Sequence, residues 1–476
     1  MRVDVVGTEP VDRIRVFDSH ELPADPEALE QLAGGTRDLD LVTAPVVLPD
    51  FHHKRKLEMP SSVAVATAQT IRPTLTSSSV NCGMALIALD GDRPGDAAMT
   101  EFFRAVRERY PYPKGNRREL SRQEVVAAAT EGAAFAQARW GIHDEDLERI
   151  EEQGRIDLEP FGGSARLTKE IPSLAFQLAR IRFGSIGPSN HFVELQTVEE
   201  VLDTEAAALL GIREGQLTLQ FHAGGGPLAS IVGRMFGRRL NYPTYLKAVN
   251  GVLKPWAHLR SGSPAQLRQR LALYFGPGCP AVARDSVEGQ RLMLANAAAM
   301  NYGFAFRLAT YSFLRRLAVE TFGGSAGRLV VDSPHNSIYE EDVDGVSALV
   351  HRHNSCRAFP ADRMPEGTVF ARTGQAVLVP GTHRTSSYLC VPDVQAARTL
   401  HSACHGAGTV ISTFAETGRS DTDPGGRSTL RFRYSDAAPE HAPHLDDRGV
   451  DAALGILTRA AVVRPVARMR PMGVLH

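Results

Sequence analysis

Apolar residues along the chain fall into two rhythms. RVDVV (2–6) and LVTAPVVLP (41–49) are short, β-branched runs that predict strands, and VAVATAQT (63–70) leads toward the cysteine-bearing run SSSVNCGMALIAL (77–89). The opening third is therefore strand-rich. The spacing then becomes helical over DAAMTEFFRAVRERY (96–110), SRQEVVAAATEGAAFAQARWG (121–141) and DEDLERIEEQG (144–154), with Ser121 and Glu124 at the separation of a capping box. This predicts an inserted helical layer over about 96–155. Further on, QLTLQFH (216–222), RLVVD (328–332), ALVHRH (348–353) and QAVLVPG (375–381) predict strands, each ending in a histidine, an acid or a Gly-rich turn. Residues 285–323 predict one long, mostly buried helix, and GRSDTDPGGRS (418–428) and SDAAPEHAPHLDD (435–447) predict loops. With no repeat and no long biased linker, the expectation is a single large mixed α+β domain over 1–476.

Length and composition support a folded chain: 476 residues, 43% of them hydrophobic, provide for a sizeable core. The start, MRVDVVGTEPVDRI, has no leader pattern, and no segment offers eighteen uninterrupted apolar residues, so the expected location is cytoplasmic, with no membrane partner. Five cysteines, Cys82, Cys279, Cys356, Cys390 and Cys404, are odd in number and irregularly spaced, which argues against a disulfide framework and a zinc ribbon. A functional cysteine here acts singly. The net charge of -1 gives no global attraction to nucleic acid, so RNA binding needs local basic stretches such as AVRERYPYPKGNRREL (105–120) or GRRLNYPTYLK (237–247). Both interleave aromatics with cations, although each, taken alone, reads as an ordinary solvated face.

No Gly-x4-Gly-Lys-Ser/Thr loop, dinucleotide fingerprint, His-Glu-x-x-His or Lys-x-Asp-Gly motif is present. What stands out is a set of histidines at predicted strand ends: PDFHH, GPSNHFVELQ, QFHAGGG, SPHNSIYEE, HRHN and CHGAG. One such histidine is more often structural than a ligand; several together with NCGM shift the balance. Cys82 with His191, His222 and His335 makes a donor set suited to Mn, Zn, Fe or Co, and a bridging thiolate can hold two metals. In SACHGAGTVIS (402–412), His405 is either a core histidine beside a tight turn or a nucleophile toward phosphorus, with Gly406 and Gly408 letting backbone amides approach phosphate.

VNCGMALI (80–87), FGSIGPSNHFVELQ (183–196), AMNYGFAFR (299–307), SPHN (333–336), HRHNSCRAF (351–359), VLVPGTHRTSSY (377–388), SACHGAGT (402–409) and PMGVLH (471–476), with PDFH (49–52) ahead of them, resemble in order and spacing the RtcB family of RNA-splicing ligases. The resemblance implies β-sheets around a central metal and nucleotide cleft, one or two Mn2+ ions and GTP. It also implies the joining of an RNA 3′-phosphate or 2′,3′-cyclic phosphate end to a 5′-hydroxyl end. By the same resemblance His405 becomes guanylylated, and Cys82, His222 and His335 hold one manganese while Cys82 and His191 serve a second. Asn190 faces phosphate, Glu194 reads the guanine edge, and Asn336, Thr382, Gly406, Ala407, Gly408 and His476 complete the nucleotide site. Family members act alone or with an activating protein partner.

Departures from the pattern cluster in that site. Ser79 stands where the family has an aspartate, so a second metal loses a hard anionic ligand. HAGGG replaces His-Ser-Gly-Ser-Arg and Thr409 replaces an arginine, removing guanidinium forks suited to phosphate. HRHN, PGTHRTSSY and the terminal His476 replace His-Arg-Lys-Gly, Pro-Gly-Ser-Met-Gly and a guanine-binding lysine. His383 and Arg384 either restore positive charge to the site or fill space. Three readings stay open: a divergent RNA ligase, a histidine-dependent nucleotidyltransferase with a non-RNA acceptor, and a catalytically silent RNA-end-binding paralogue.

Overall fold

Strand Gly83–Leu89 shows why the sheets sit where they do, because its GMALIAL run is buried on both faces. Ala85, Ile87 and Leu89 point into one apolar cluster, and Met84, Leu86 and Ala88 into another. The computed structural model describes residues 5–6, 14–54, 59–77, 79–112, 119–181, 183–187, 190–237, 244–260 (side chains from 251), 263–276, 280–324, 327–436 and 438–476. Among them, Gly83–Leu89 lies in a nine-stranded sheet between Arg328–Pro334 and Leu217–Ala223, followed by Phe192–Val201, Val463–Leu475, Ser387–Pro392 and Val377–Val379. A second sheet of six strands contains Val46–His52, Ser61–Thr67, Val346–His353 and Asn336–Val343. The architecture is mixed α and β, as the sequence pattern predicts. No helix among the described residues is long and apolar enough to cross a membrane.

The long helix is present as Val287–Phe322 and lies among helices Gly226–Phe236, Arg122–Glu131 and Ala133–Trp140, touching strand Gly83–Leu89 of the first sheet. Other expectations change in detail. The capping box at Ser121 and Glu124 forms, but the helix expected over 121–141 breaks into Arg122–Glu131 and Ala133–Trp140 at Gly132, whose φ is 59°. Asn301 of the long helix explains the break, since its amide donates to the carbonyls of Thr130 (3.2 Å) and Ile156 (2.9 Å) while its oxygen accepts from the Ile156 amide. The run 144–154 keeps one helical turn, Asp144–Leu147, before Glu152 and Gln153 adopt positive φ. Part of the expected loop 435–447 is a strand, Glu440–Pro443, paired with Ser428–Phe432. Of the first run only Val5–Val6 is described, and the second becomes a strand only from Val46. Cys279 and parts of the two basic stretches, 113–118 and 238–243, lie outside the described residues.

One buried ion pair joins helix, sheet and loop. Arg307, fully buried, donates to both carboxylate oxygens of Asp332 at 2.7 and 2.6 Å, to the Asn81 side chain at 2.9 Å and to the Asn81 carbonyl. Asn81 takes a left-handed φ of 55°, and its amide hydrogen-bonds the Asn336 carbonyl at 2.9 Å. A Cβ at Gly303 would come within 2.8 Å of the Asn81 side chain, so the helix must carry glycine there. Replacing Arg307 with Met leaves the Asp332 carboxylate buried without its partner, and the expected loss is about 3–5 kcal/mol. Chemical denaturation at neutral pH measures it, and a companion Asp332→Leu change should recover most of the loss.

Candidate active site

Four predicted metal ligands lie at one end of neighbouring antiparallel strands. Cys82 immediately precedes Gly83–Leu89, His191 immediately precedes Phe192–Val201, His222 is the penultimate residue of Leu217–Ala223, and His335 immediately follows Arg328–Pro334. Register does the rest: His222 stands opposite both Met84 and Phe192, and the His335 amide donates to the Cys82 carbonyl at 2.9 Å. The donor atoms of Cys82, His222 and His335 all lie within 4.8 Å of one another. His191 approaches from the other side, its Nε2 3.6 Å from the Cys82 sulfur. A Cβ at Gly224 would crowd that ring, approaching to 3.1 Å, which gives the glycine run after His222 a local reason.

The donor chemistry fits a divalent transition ion. His222 donates through Nδ1 to the Asn190 carbonyl at 2.7 Å, which leaves the lone pair of Nε2 facing the Cys82 sulfur at 3.2 Å. His335 Nδ1 is buried and makes no hydrogen bond. Burial holds His191 down to about 4 and His222 and His335 well below the usual histidine range, so all three imidazoles are neutral. The same burial pushes the Cys82 thiol up to about 11, against a hydrogen bond from Ser79 that favours the thiolate.

His405 follows the short strand Ser402–Cys404, which pairs with Ser355–Arg357. Because the Ser355 amide donates to the His335 carbonyl at 3.0 Å, this small ladder brings His405 to the metal cluster, its ring centroid 4.7 Å from that of His335. Its Nδ1 makes no hydrogen bond, and burial, with the Lys54 charge second, lowers its pKa to about 3. It opens onto a cavity of about 440 Å³ also lined by Asp50, Lys54, Asn190, Phe192 and Gly408.

The expected nucleotide residues separate into two groups. Asn190, Gly406 and Gly408 line the cavity, and Glu194 is buried on the strand that begins at Phe192. Glu194 accepts from Gln196 at 2.7 Å, and burial raises its carboxyl to about 8. The others are engaged within the fold. Asn336 clamps the loops, donating to the Ser79 carbonyl at 3.2 Å and accepting from the Asn354 amide at 2.9 Å. Ala407 donates its amide to the Pro380 carbonyl at 3.1 Å, and Thr382 bonds Thr385 inside its own turn. His476 stacks on His383 at 5.3 Å, with its Nε2 buried and making no hydrogen bond.

Of the two readings of His383 and Arg384, filling space fits better, since neither lines this cavity. Arg384 donates to the Pro443 carbonyl at 2.7 Å, and burial with nearby cations holds His383 down to about 4. The charge comes instead from Lys54, which acts on His405, His335, His353 and Cys82. Asp50 was also not singled out. Its carboxylate accepts from the Thr409 and Val410 amides at 3.0 and 3.1 Å, capping helix Gly408–Glu416. The cluster PDFHHK carried both residues, but a signal confined to residue types does not say which side chain turns inward.

At neutral pH metal binding must displace the Cys82 proton, since that thiol titrates far above 7, while the imidazoles are already proton-free. Binding of Mn2+ or Zn2+ should therefore release about one proton, and affinity should rise about tenfold per pH unit between about pH 6 and 8. Calorimetry in buffers of different ionisation enthalpy checks this; Cys82→Ala should abolish the proton release.

Comparison with known proteins agrees with this geometry. Residues 35–476 match the family model described as tRNA-splicing ligase RtcB. A tRNA-splicing ligase RtcB of Pyrococcus furiosus is 32% identical over 71% of this chain and 34% of its own length. One from Thermococcus kodakarensis is 29% identical over 94% of this chain and 90% of that protein, and an RNA-splicing ligase RtcB from Mycobacterium bovis is 28% identical over 91% and 96%. The chain thus spans about a third of the Pyrococcus furiosus protein but nearly all of the latter two. On the extent of the family match, this chain belongs to the RtcB family.

Proposed function

We propose that this chain is an RNA ligase that joins a 3′-phosphate or 2′,3′-cyclic phosphate end to a 5′-hydroxyl end, using GTP and Mn2+. The observation that carries the reading is the placement of a neutral His405 beside His335, facing a cavity with a lysine in its wall. Cys82, His222 and His335 would hold the first ion, with His191 beside the shared sulfur for a second. Such an ion, when bound, withdraws charge from phosphate oxygens.

The remaining chemistry belongs to the chain. An unprotonated imidazole has the lone pair needed to attack the α-phosphorus of GTP, forming an N–P bond as pyrophosphate leaves. GMP then passes to an oxygen of the RNA 3′-phosphate and frees the histidine; a cyclic end must first be opened by water. The 5′-hydroxyl attacks the activated RNA phosphorus, loses its proton and expels GMP. Lys54 compensates part of the phosphate charge that the family's arginine would meet at Thr409.

One observation favours the second reading, transfer to a non-RNA acceptor: Asp50 already occupies the first amides of helix Gly408–Glu416, so that helix start does not present them to an RNA phosphate. An RNA with a labelled 3′-phosphate, mixed with a 5′-hydroxyl RNA, GTP and Mn2+, separates the two. Ligation retains the label in a phosphatase-resistant junction, and His405→Ala should lower its rate by at least about 10³-fold. Consumption of GTP with no joined RNA would contradict the ligase reading.

A further inference from the structure

Residues 215–284 carry nine Lys and Arg and no Asp or Glu, in a chain whose totals are 53 against 54. Within this stretch, helices Thr244–His258 and Pro264–Phe275 pack together as a hairpin. Its inner face is fixed. His258 stacks on Tyr274 at 3.7 Å, its Nε2 donates to the Met235 carbonyl at 2.9 Å, and Arg270 pairs with Glu288 at 2.6 Å.

The outer face is different in kind. Val252, Trp256 and Leu259 are exposed at i, i+4 and i+7 on the first helix, and Leu271 and Phe275 at i and i+4 on the second. These are five of the ten large hydrophobic residues exposed among the described residues. Arg260 lies over the Trp256 ring at 5.6 Å and Lys254 over Phe275 at 5.8 Å, so both aromatics carry a cation at their face. Beside them is a cavity of about 410 Å³, into which Lys169, Ser173, Trp256, Arg260 and Gln266 contribute. The charged groups deeper in its wall compensate each other, Arg270 with Glu288 and Glu170 with Arg291. Lys169 and Arg260 remain as the excess.

We propose that this hairpin is an auxiliary site for single-stranded RNA, in which Trp256 stacks on a base and Arg260 and Lys169 meet the adjoining phosphates. Aromatic platforms edged by cations bind unpaired strands with little sequence preference, because every base has a face to stack. An apolar protein partner would also cover the stripe, but it gives no reason for Arg260 and Lys254 to lie over its two exposed aromatics. Location fits a flank of the substrate. Helix Gly226–Phe236 begins just after His222 and packs on the hairpin, so a single helix connects this surface to the metal cluster. The inference rests on the RNA-ligase reading for the strand's origin, while its test does not require turnover.

Trp140 and Trp256 are the chain's two tryptophans, so Trp140→Phe makes Trp256 the sole reporter. Titrating that variant with a uridine-rich RNA bearing a 3′-phosphate should quench its fluorescence. Arg260→Glu should weaken binding by about tenfold or more and make the salt dependence shallower by about one phosphate contact. Trp256→Ala, followed by anisotropy of a labelled RNA, should lose affinity for a long strand far more than for one too short to reach the hairpin. Quenching that is sensitive to Arg260→Glu supports the site even if the protein does not ligate, in which case only the ligase reading falls. Unchanged RNA affinity in both variants of an actively ligating protein overturns the site and leaves the face to a protein partner.

Discussion

The contact of Arg307 with Asp332 and Asn81 is the constraint on which the site depends. It ties the middle of a 36-residue helix to the end strand of the nine-stranded sheet and to the loop that presents Cys82. Burying a guanidinium and a carboxylate is costly unless both are fully hydrogen-bonded, and here the fork is met by three acceptor groups. Their positions fix the left-handed turn at Asn81, which fixes the sulfur; the Cys82 carbonyl then takes the amide of His335. The metal cluster is a consequence of that chain of contacts rather than an arrangement made by the ion alone.

Burial also sets the chemical state of the groups. The same exclusion of water that keeps Cys82 a thiol keeps His191, His222, His335 and His405 unprotonated. On the proposed reading, three of these imidazoles would offer a lone pair to a metal and His405 would offer one to phosphorus. An interior this poor in cations would repel a triphosphate, so Lys54 matters more here than in a site furnished with arginines. The capping of helix Gly408–Glu416 by Asp50 acts the other way.

Much of this was legible in residue order. Period-two and continuous apolar runs marked strands ending in histidines, and those ends converge because the strands are antiparallel neighbours in one sheet. The ligand types at Cys82, His191, His222 and His335 could be read; their mutual distances could not. The terminal strand Val463–Leu475 has no clear pattern in the sequence, since its VRPVARMRPMGVL run is interrupted by prolines and arginines and is accommodated by three register shifts. Gly132 and Asn301 break a helix that periodicity alone would continue, and the engagement of Ala407 by the Pro380 carbonyl depends on a contact far outside any local pattern.

The central claim is that His405 is the nucleophile of a metal-supported site. Incubation with GTP labelled at the α-phosphate and Mn2+, followed by denaturation and peptide mapping, addresses it most directly. The account predicts an acid-labile, alkali-stable adduct on the peptide containing His405, lost both in His405→Ala and when Cys82→Ala removes the sulfur ligand. Label on another residue, or label undiminished in His405→Ala, would contradict it.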